Sequence, residues 1–137
     1  KFLERLLPLL KPRFEFVDGE TRHERRYEHY PDFVVVANCG YPEYSQFQVR
    51  SLLFQRLARE LDVSVRAAIF RTMGELLKID NIMLRPILKR YNRRLEEAGT
   101  LLARGEDIPS DLLEKINNPL IPETMYRKLA NEHWPRQ

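Results

Sequence analysis

One short segment constrains this chain more than any other. Phe33-Val34-Val35-Val36-Ala37 is an unbroken apolar run, preceded by the turn-forming pair Pro31-Asp32 and followed by Cys39-Gly40. Valine is stiff at its β-carbon and favours extended backbone. A run that is apolar throughout, instead of alternating with polar residues, is what a strand covered on both faces of a parallel sheet requires. Phe47, Leu52, Leu53, Phe54, Leu57 and Leu61 then recur at helical spacing, and Val65 to Phe70 supplies a second strand. Strand, helix and strand form a βαβ unit, for which a right-handed crossover is expected. The fold class read from this pattern is α/β.

Helices dominate the remainder of the chain. Met73-Gly74-Glu75-Leu76-Leu77 reads as a turn and a short segment. Leu84, Ile87, Leu88, Tyr91, Leu95, Ala98 and Leu102 mark one side of a long amphipathic helix that tolerates Pro86 in its first turns and stops near Gly105. Ser110 is the expected N-cap of a short helix over residues 111–116, and Pro122 is expected to open a last helix through Ala130, with Trp134 pinning the terminus. Before the βαβ unit, Phe2, Leu3, Leu6, Leu7 and Leu10 predict a helix over residues 1–10 that Pro12 ends. Residues 11–32 read as a charged connection with an extended piece at Phe14 to Val17 and a turn signal at Asp18-Gly19.

Composition narrows the function classes. At 137 residues the chain fits one domain, 1–137, with 80–137 as a helical extension. No apolar run approaches the roughly 20 residues of a membrane span, so no membrane association is expected. The net charge of +3 sets 23 basic against 20 acidic residues, too small a surplus to demand nucleic acid. A lone cysteine, Cys39, forms no internal disulfide and suits a cytoplasmic setting. His23 and His29, near Glu24 and Glu28, lack a metal-ligand spacing, and no metal site is expected. Arg22, Arg25 and Arg26 are interleaved with acids, and Arg90, Arg93 and Arg94 read as the wet side of the long helix. No base stands beside a nucleophile, so catalytic residues are not assigned.

Several segments resemble one family. Lys1 to Leu10 is similar to the helix after the second flavin loop of flavodoxin-like NAD(P)H-dependent FMN reductases. Val35-Val36-Ala37-Asn38-Cys39-Gly40-Tyr41-Pro42-Glu43 resembles that family's fourth strand and following loop. Met73 to Leu77, Glu97-Ala98-Gly99, Pro119 to Pro122, Tyr126 and Asn131 to Trp134 resemble the tail of its long-chain members. The family's first three strands and its phosphate loop have no counterpart. The resemblance implies a flavodoxin-like parallel sheet flanked by helices, of which this chain holds the later strands. It implies an FMN-binding oxidoreductase using NADPH or NADH, with Asn38, Cys39, Gly40, Tyr41 and Tyr44 bordering the flavin. The chain is then a C-terminal part, inactive alone, that either forms a homo-oligomer or requires the missing N-terminal half. The competing expectation is a non-enzymatic module in which the helix over residues 83–104 binds a partner chain.

Overall fold

The computed structural model describes residues 3–133. Its architecture is mixed α/β, with two small sheets and four helices. Strands β1 (Leu10–Val17) and β2 (Glu20–Arg25) form an antiparallel hairpin; β3 (Phe33–Asn38) and β4 (Val65–Arg71) form a parallel pair joined through helix α1 (Gln48–Leu61). Helices α2 (Arg85–Ala103), α3 (Ser110–Asn117) and α4 (Glu123–His133) complete the described chain.

The N-terminal expectation needs correction. In place of a helix through residue 10, Leu3–Arg5 and Leu7–Leu9 are single 3₁₀ turns, and Leu10 already belongs to β1. Pro8 breaks helical continuation, and Leu10 instead finds a strand partner in Arg25. Residues 11–32 are likewise more ordered than a connection. Asp18 and Gly19 both take positive φ, 53° and 80°, the geometry of a tight turn whose twist suits a two-residue hairpin. Pro12 cannot donate to a ladder, and it lies where the β1–β2 register slips between Leu10 and Phe14.

The hairpin's charges are engaged with α1. Glu20 meets Arg56 at 3.0 Å and Arg59 at 3.2 Å, Arg22 reaches Asp62 at 3.2 Å, and the His23 amide donates to Glu60 at 3.0 Å. His23 also packs at a tilt against Phe14, with ring centroids 4.6 Å apart, and its Nδ1 lies 2.9 Å from the Lys11 carbonyl. Arg22 also reaches Glu15 at 3.2 Å. Asp62 can serve two guanidinium groups because it caps α1 in the left-handed region at φ 54°, turning the chain toward the hairpin.

The parallel pair is the middle of a layered core. One face packs Val35, Phe70, Phe33 and Ala68 under Phe47 and Phe54, with Phe47 and Phe70 stacked at 4.7 Å. The other face packs Ala67 and Ile69 under Tyr91, Ala98, Leu112 and Ile116 of α2 and α3. The C-terminal helices α2 and α3 therefore supply one wall of the core. A third cluster, Met73, Leu76 and Ile121, fills the space beyond the carboxyl end of β4. The long helix and its stop agree with the sequence: α2 ends at Ala103 and Gly105 turns at φ 77°. Helix α3 opens at Ser110 itself, after Pro109, with no side-chain cap. The expected role of Trp134 lies outside the described residues.

The expectation that β3 is buried on both faces is only half met. Val35 is buried, but Val34 is 42% and Val36 69% exposed, because α2 and α3 lie over β4 and leave β3's half of that face bare. The two edges of the pair also differ. The outer edge of β4 is closed by Asn117 at the end of α3: its Oδ1 accepts the Phe70 amide at 2.9 Å, and its Nδ2 donates to the Ala68 carbonyl at 3.0 Å. The outer edge of β3 has no strand neighbour among the described residues.

Candidate functional site

The segment Asn38 to Tyr44 leaves the carboxyl end of β3, the position at which open parallel sheets bind ligands. Its backbone is held from three directions. The Cys39 amide continues the ladder to Arg71 at 3.0 Å; the Gly74 amide donates to the Cys39 carbonyl at 2.8 Å, and the Met73 amide to the Tyr41 carbonyl at 3.0 Å. From α4, the Tyr126 hydroxyl donates to the Gly40 carbonyl at 2.7 Å, and Arg127 pairs with Glu43 at 2.9 Å. Pro42 is buried and anchors the middle of the loop.

These contacts decide which way the loop's peptide groups face. The chain contains no cis peptide among the described residues, and in a trans peptide the amide hydrogen points opposite to the carbonyl of the same unit. With the Cys39 and Gly40 carbonyls drawn toward Gly74 and Tyr126, the amides of Gly40 and Tyr41 point away from both. Neither donates to another described residue. Gly40 and Tyr41 are exposed residues, so these two amides are left open to an outside acceptor. Such a pair can receive a carbonyl oxygen or an anionic edge.

The loop after β4 pays for this arrangement with strain. Met73 is fully buried and takes φ 55°, a left-handed conformation costly for a side chain of this kind. Gly74 follows in a tight place: a Cβ there stands 3.1 Å from the Asn38 Cβ and 3.3 Å from the Cys39 carbonyl oxygen, so a larger residue makes these neighbours give by a few tenths of an ångström. At Gly40, by contrast, the nearest atom to an added Cβ is Glu75 Oε1 at 3.7 Å, so the fold itself leaves room.

The five residues singled out in the sequence share one loop but not one role. Gly40 and Tyr41 supply the outward amides, and the Tyr41 ring is 63% exposed. Asn38 packs against Gly74 and borders the groove under β3. Cys39 is half-buried in the α1-side cluster, with its Sγ 3.5 Å from the Tyr41 carbonyl. Tyr44 leans on the core, its ring 5.8 Å from Phe47 and 6.0 Å from Phe70, and partial burial raises its pKa above the usual tyrosine value. Tyr126 is raised too, first by burial and then by the nearby Glu75 and Cys39, so its hydroxyl stays a donor across the neutral range.

Three residues at this end of the sheet carried little signal in the sequence. Tyr126 and Gly74 stood only within segments of family resemblance, since no local pattern places α4 against a loop some eighty residues earlier. Arg71 is the other surprise. Its buried guanidinium donates to the carbonyls of Ile116 and Asn118 and lies 4.7 Å from the Tyr91 ring centroid, while Nε has no partner. Burial lowers its pKa, and Tyr91 opposes that shift. It ties the end of β4 to the end of α3.

A concavity of ≈890 Å³ lies away from the loop, along the polar side of α2 between Asp80, Arg85, Lys89 and Arg93. It is open, and Arg85 within it is paired with Asp80 at 2.9 Å. Among the described residues no group of three or more His, Cys, Asp or Glu side chains is arranged to hold a metal ion, and no helix is long and apolar enough to cross a membrane. Compared with protein-family models, curated proteins and solved structures, the chain matches none of them.

Proposed function

We propose that this chain is the C-terminal part of a flavodoxin-like, FMN-binding oxidoreductase that draws electrons from NADPH or NADH, and that the loop Asn38 to Tyr44 meets the flavin. The observation that carries the reading is the pair of amides at Gly40 and Tyr41 that no described residue engages, held at the carboxyl end of a parallel strand that α1 covers on one face. An isoalloxazine ring has a carbonyl-rich edge, which two fixed donors suit, and an exposed Tyr41 ring beside them suits a flat aromatic partner. When bound, the flavin supplies the hydride chemistry, and the protein's part is to orient it and set its surroundings. That division of labour fits a site without an acid, base or nucleophile.

The donor set fits one portion of the cofactor. The ring edge has candidate partners in Gly40, Tyr41 and Asn38, whereas a phosphate needs a cluster of backbone amides at a loop and helix N-terminus, and no glycine-rich loop of that kind occurs among the described residues. Isolated, the chain is expected to hold flavin weakly and to show no turnover. The test is an amide-resolved NMR titration of the full chain with FMN and, separately, with riboflavin. The reading expects the Gly40 and Tyr41 amides to shift with both, at similar affinity, because the phosphate finds nothing here to bind. Shifts centred elsewhere, or none at millimolar flavin, refute it.

A second reading keeps the fold and drops the chemistry: α2 serves as part of an interaction surface. The observation in its favour is the bare strip beside it, where Leu88 and Leu95 border exposed Val36. Absence of any flavin response, together with partner binding that substitutions at Leu88 or Leu95 abolish, favours this alternative.

A further inference from the structure

We infer that the slot between the bare half of β3 and helix α2 binds a small monocarboxylate with an apolar tail, its carboxylate beside the buried Arg71 and its tail along Val36, Leu88 and Leu95. This inference uses only the slot and does not depend on flavin.

Arg71 carries a charge that the described residues leave uncompensated. The residue is 2% exposed. Its Nη groups donate to the carbonyls of Asn118 and Ile116, its guanidinium lies over the Tyr91 ring, and its Nε has no partner. None of these neighbours is an acid. Burial lowers its pKa, and only Tyr91 opposes the shift. A buried cation is ordinarily paired, because removal from water without a counter-charge is strongly unfavourable. Two neutral carbonyls tie β4 to the end of α3 but do not neutralise the guanidinium.

The same arginine lines an open space. Register places Val36 beside Ile69 and Asn38 beside Arg71, so these four side chains share the α2-side face of the parallel pair. With Leu88, Tyr91, Asn92 and Leu95 of α2 they line a slot of ≈340 Å³, at the small end of the range for ligand sites. No aspartate or glutamate lines it. Asn38 and Asn92 are exposed, and neither carboxamide bonds to a described residue.

One buried cation, two free carboxamides and aliphatic walls suit a single anionic head on an apolar body. A carboxylate neutralises Arg71 and can accept from the unpartnered Nε–H and from the carboxamide NH₂ groups. A short hydrocarbon tail then covers Val36, Leu88 and Leu95, which the fold leaves without a neighbour on that side. An alcohol of the same length fills the slot and leaves the charge as it was. A cationic ligand adds a second charge of the same sign.

The test titrates the full, isotopically labelled chain with hexanoate, hexanol and acetate, read in NMR spectra by the Arg71 Nε–H and the methyl groups of Val36, Leu88 and Leu95. Hexanoate moves these signals saturably and leaves the Gly40 and Tyr41 amides in place. Hexanol has the tail without the charge and acetate the charge without the tail; each binds about tenfold more weakly, or worse, as loss of a charge-assisted bond or of the tail's burial requires. Val36→Trp fills the slot from an exposed position and weakens hexanoate by about tenfold or more, with unchanged circular dichroism. Arg71→Met removes the charge, so hexanoate and hexanol then bind alike. Should that variant unfold, Val36→Trp and the three probes decide alone. Equal binding of hexanoate and hexanol by the wild-type chain, no saturable response to hexanoate, or full affinity in Val36→Trp overturns the inference. So do shifts centred on Lys89 and Arg93, since the carboxylate then meets only the outer charge of α2.

Discussion

Replacing Asn117 with alanine removes the side chain that stands in for a strand beside β4. Two bonds disappear together, the Phe70 amide to Oδ1 at 2.9 Å and Nδ2 to the Ala68 carbonyl at 3.0 Å. Each is worth about 1 kcal/mol net, and each main-chain group left without a partner away from water costs about 1–3 kcal/mol. Both bonds are partly buried, so water can replace some of what is lost. A destabilisation of about 2–3 kcal/mol results, a fall in Tm of roughly 8–12 °C for a chain of this length. Urea unfolding of wild type and Asn117→Ala measures it, with an unchanged slope showing that the native state is otherwise intact. Asn117→Asp sharpens the test. Its carboxylate still accepts from the Phe70 amide but cannot donate to the Ala68 carbonyl, so one of the two bonds is kept and the other is lost. A loss under about 0.5 kcal/mol in both variants refutes the claim that Asn117 closes the sheet.

Gly74→Ala forces a Cβ against Asn38 and the Cys39 carbonyl, so the loop must shift by a few tenths of an ångström; a stability loss of about 1–2 kcal/mol and displaced Gly40 and Tyr41 amide signals are expected in NMR spectra. At Gly40 an added Cβ meets no such obstacle, its nearest neighbour being Glu75 Oε1 at 3.7 Å on an exposed residue, and Gly40→Val tests the site there. Thermal unfolding should therefore change little while flavin affinity falls through crowding of the ring edge; unchanged affinity moves the site elsewhere. Above about pH 10 the chain should lose stability as Tyr126 and Tyr44 ionise, because both folded pKa values are raised and their contribution is fully present below the unfolded value. Tyr126→Phe should flatten part of that alkaline slope, as read by urea unfolding from about pH 9 to 12, and lower stability at neutral pH by about 0.5–1.5 kcal/mol through the lost bond to Gly40.

Elements whose cause is local were legible in the sequence. The run at Val34 to Val36, the leucine spacing of α1 and α2, and the stop at Gly105 rest on periodicity and backbone preference, and each recurs in the structure. The N-terminal error arose where local pattern and pairing compete. Phe2, Leu3, Leu6, Leu7 and Leu10 fit a helical spacing, yet prolines at 8 and 12 left Leu10 to pair across the hairpin with Arg25. The ion pairs of the hairpin were hidden for another reason, since alternating charge reads as solvated until α1 is known to lie beside it. The candidate loop was located by its place after a strand. What fixes its peptide orientation, Met73, Gly74 and Tyr126, comes from segments distant in sequence, and only the packed structure brings them together. Exposure of Val34 and Val36 was equally invisible, because an apolar run signals a strand that wants cover and not whether this chain provides it.

Whether this chain belongs to a flavin-bearing oxidoreductase is decided by the visible absorption spectrum and intact mass of the protein purified from its own cells. Bands of oxidised flavin are expected, on a polypeptide heavier than the 16.4 kDa of this sequence. A protein of that mass with no flavin bands, even after FMN is added, contradicts the proposal.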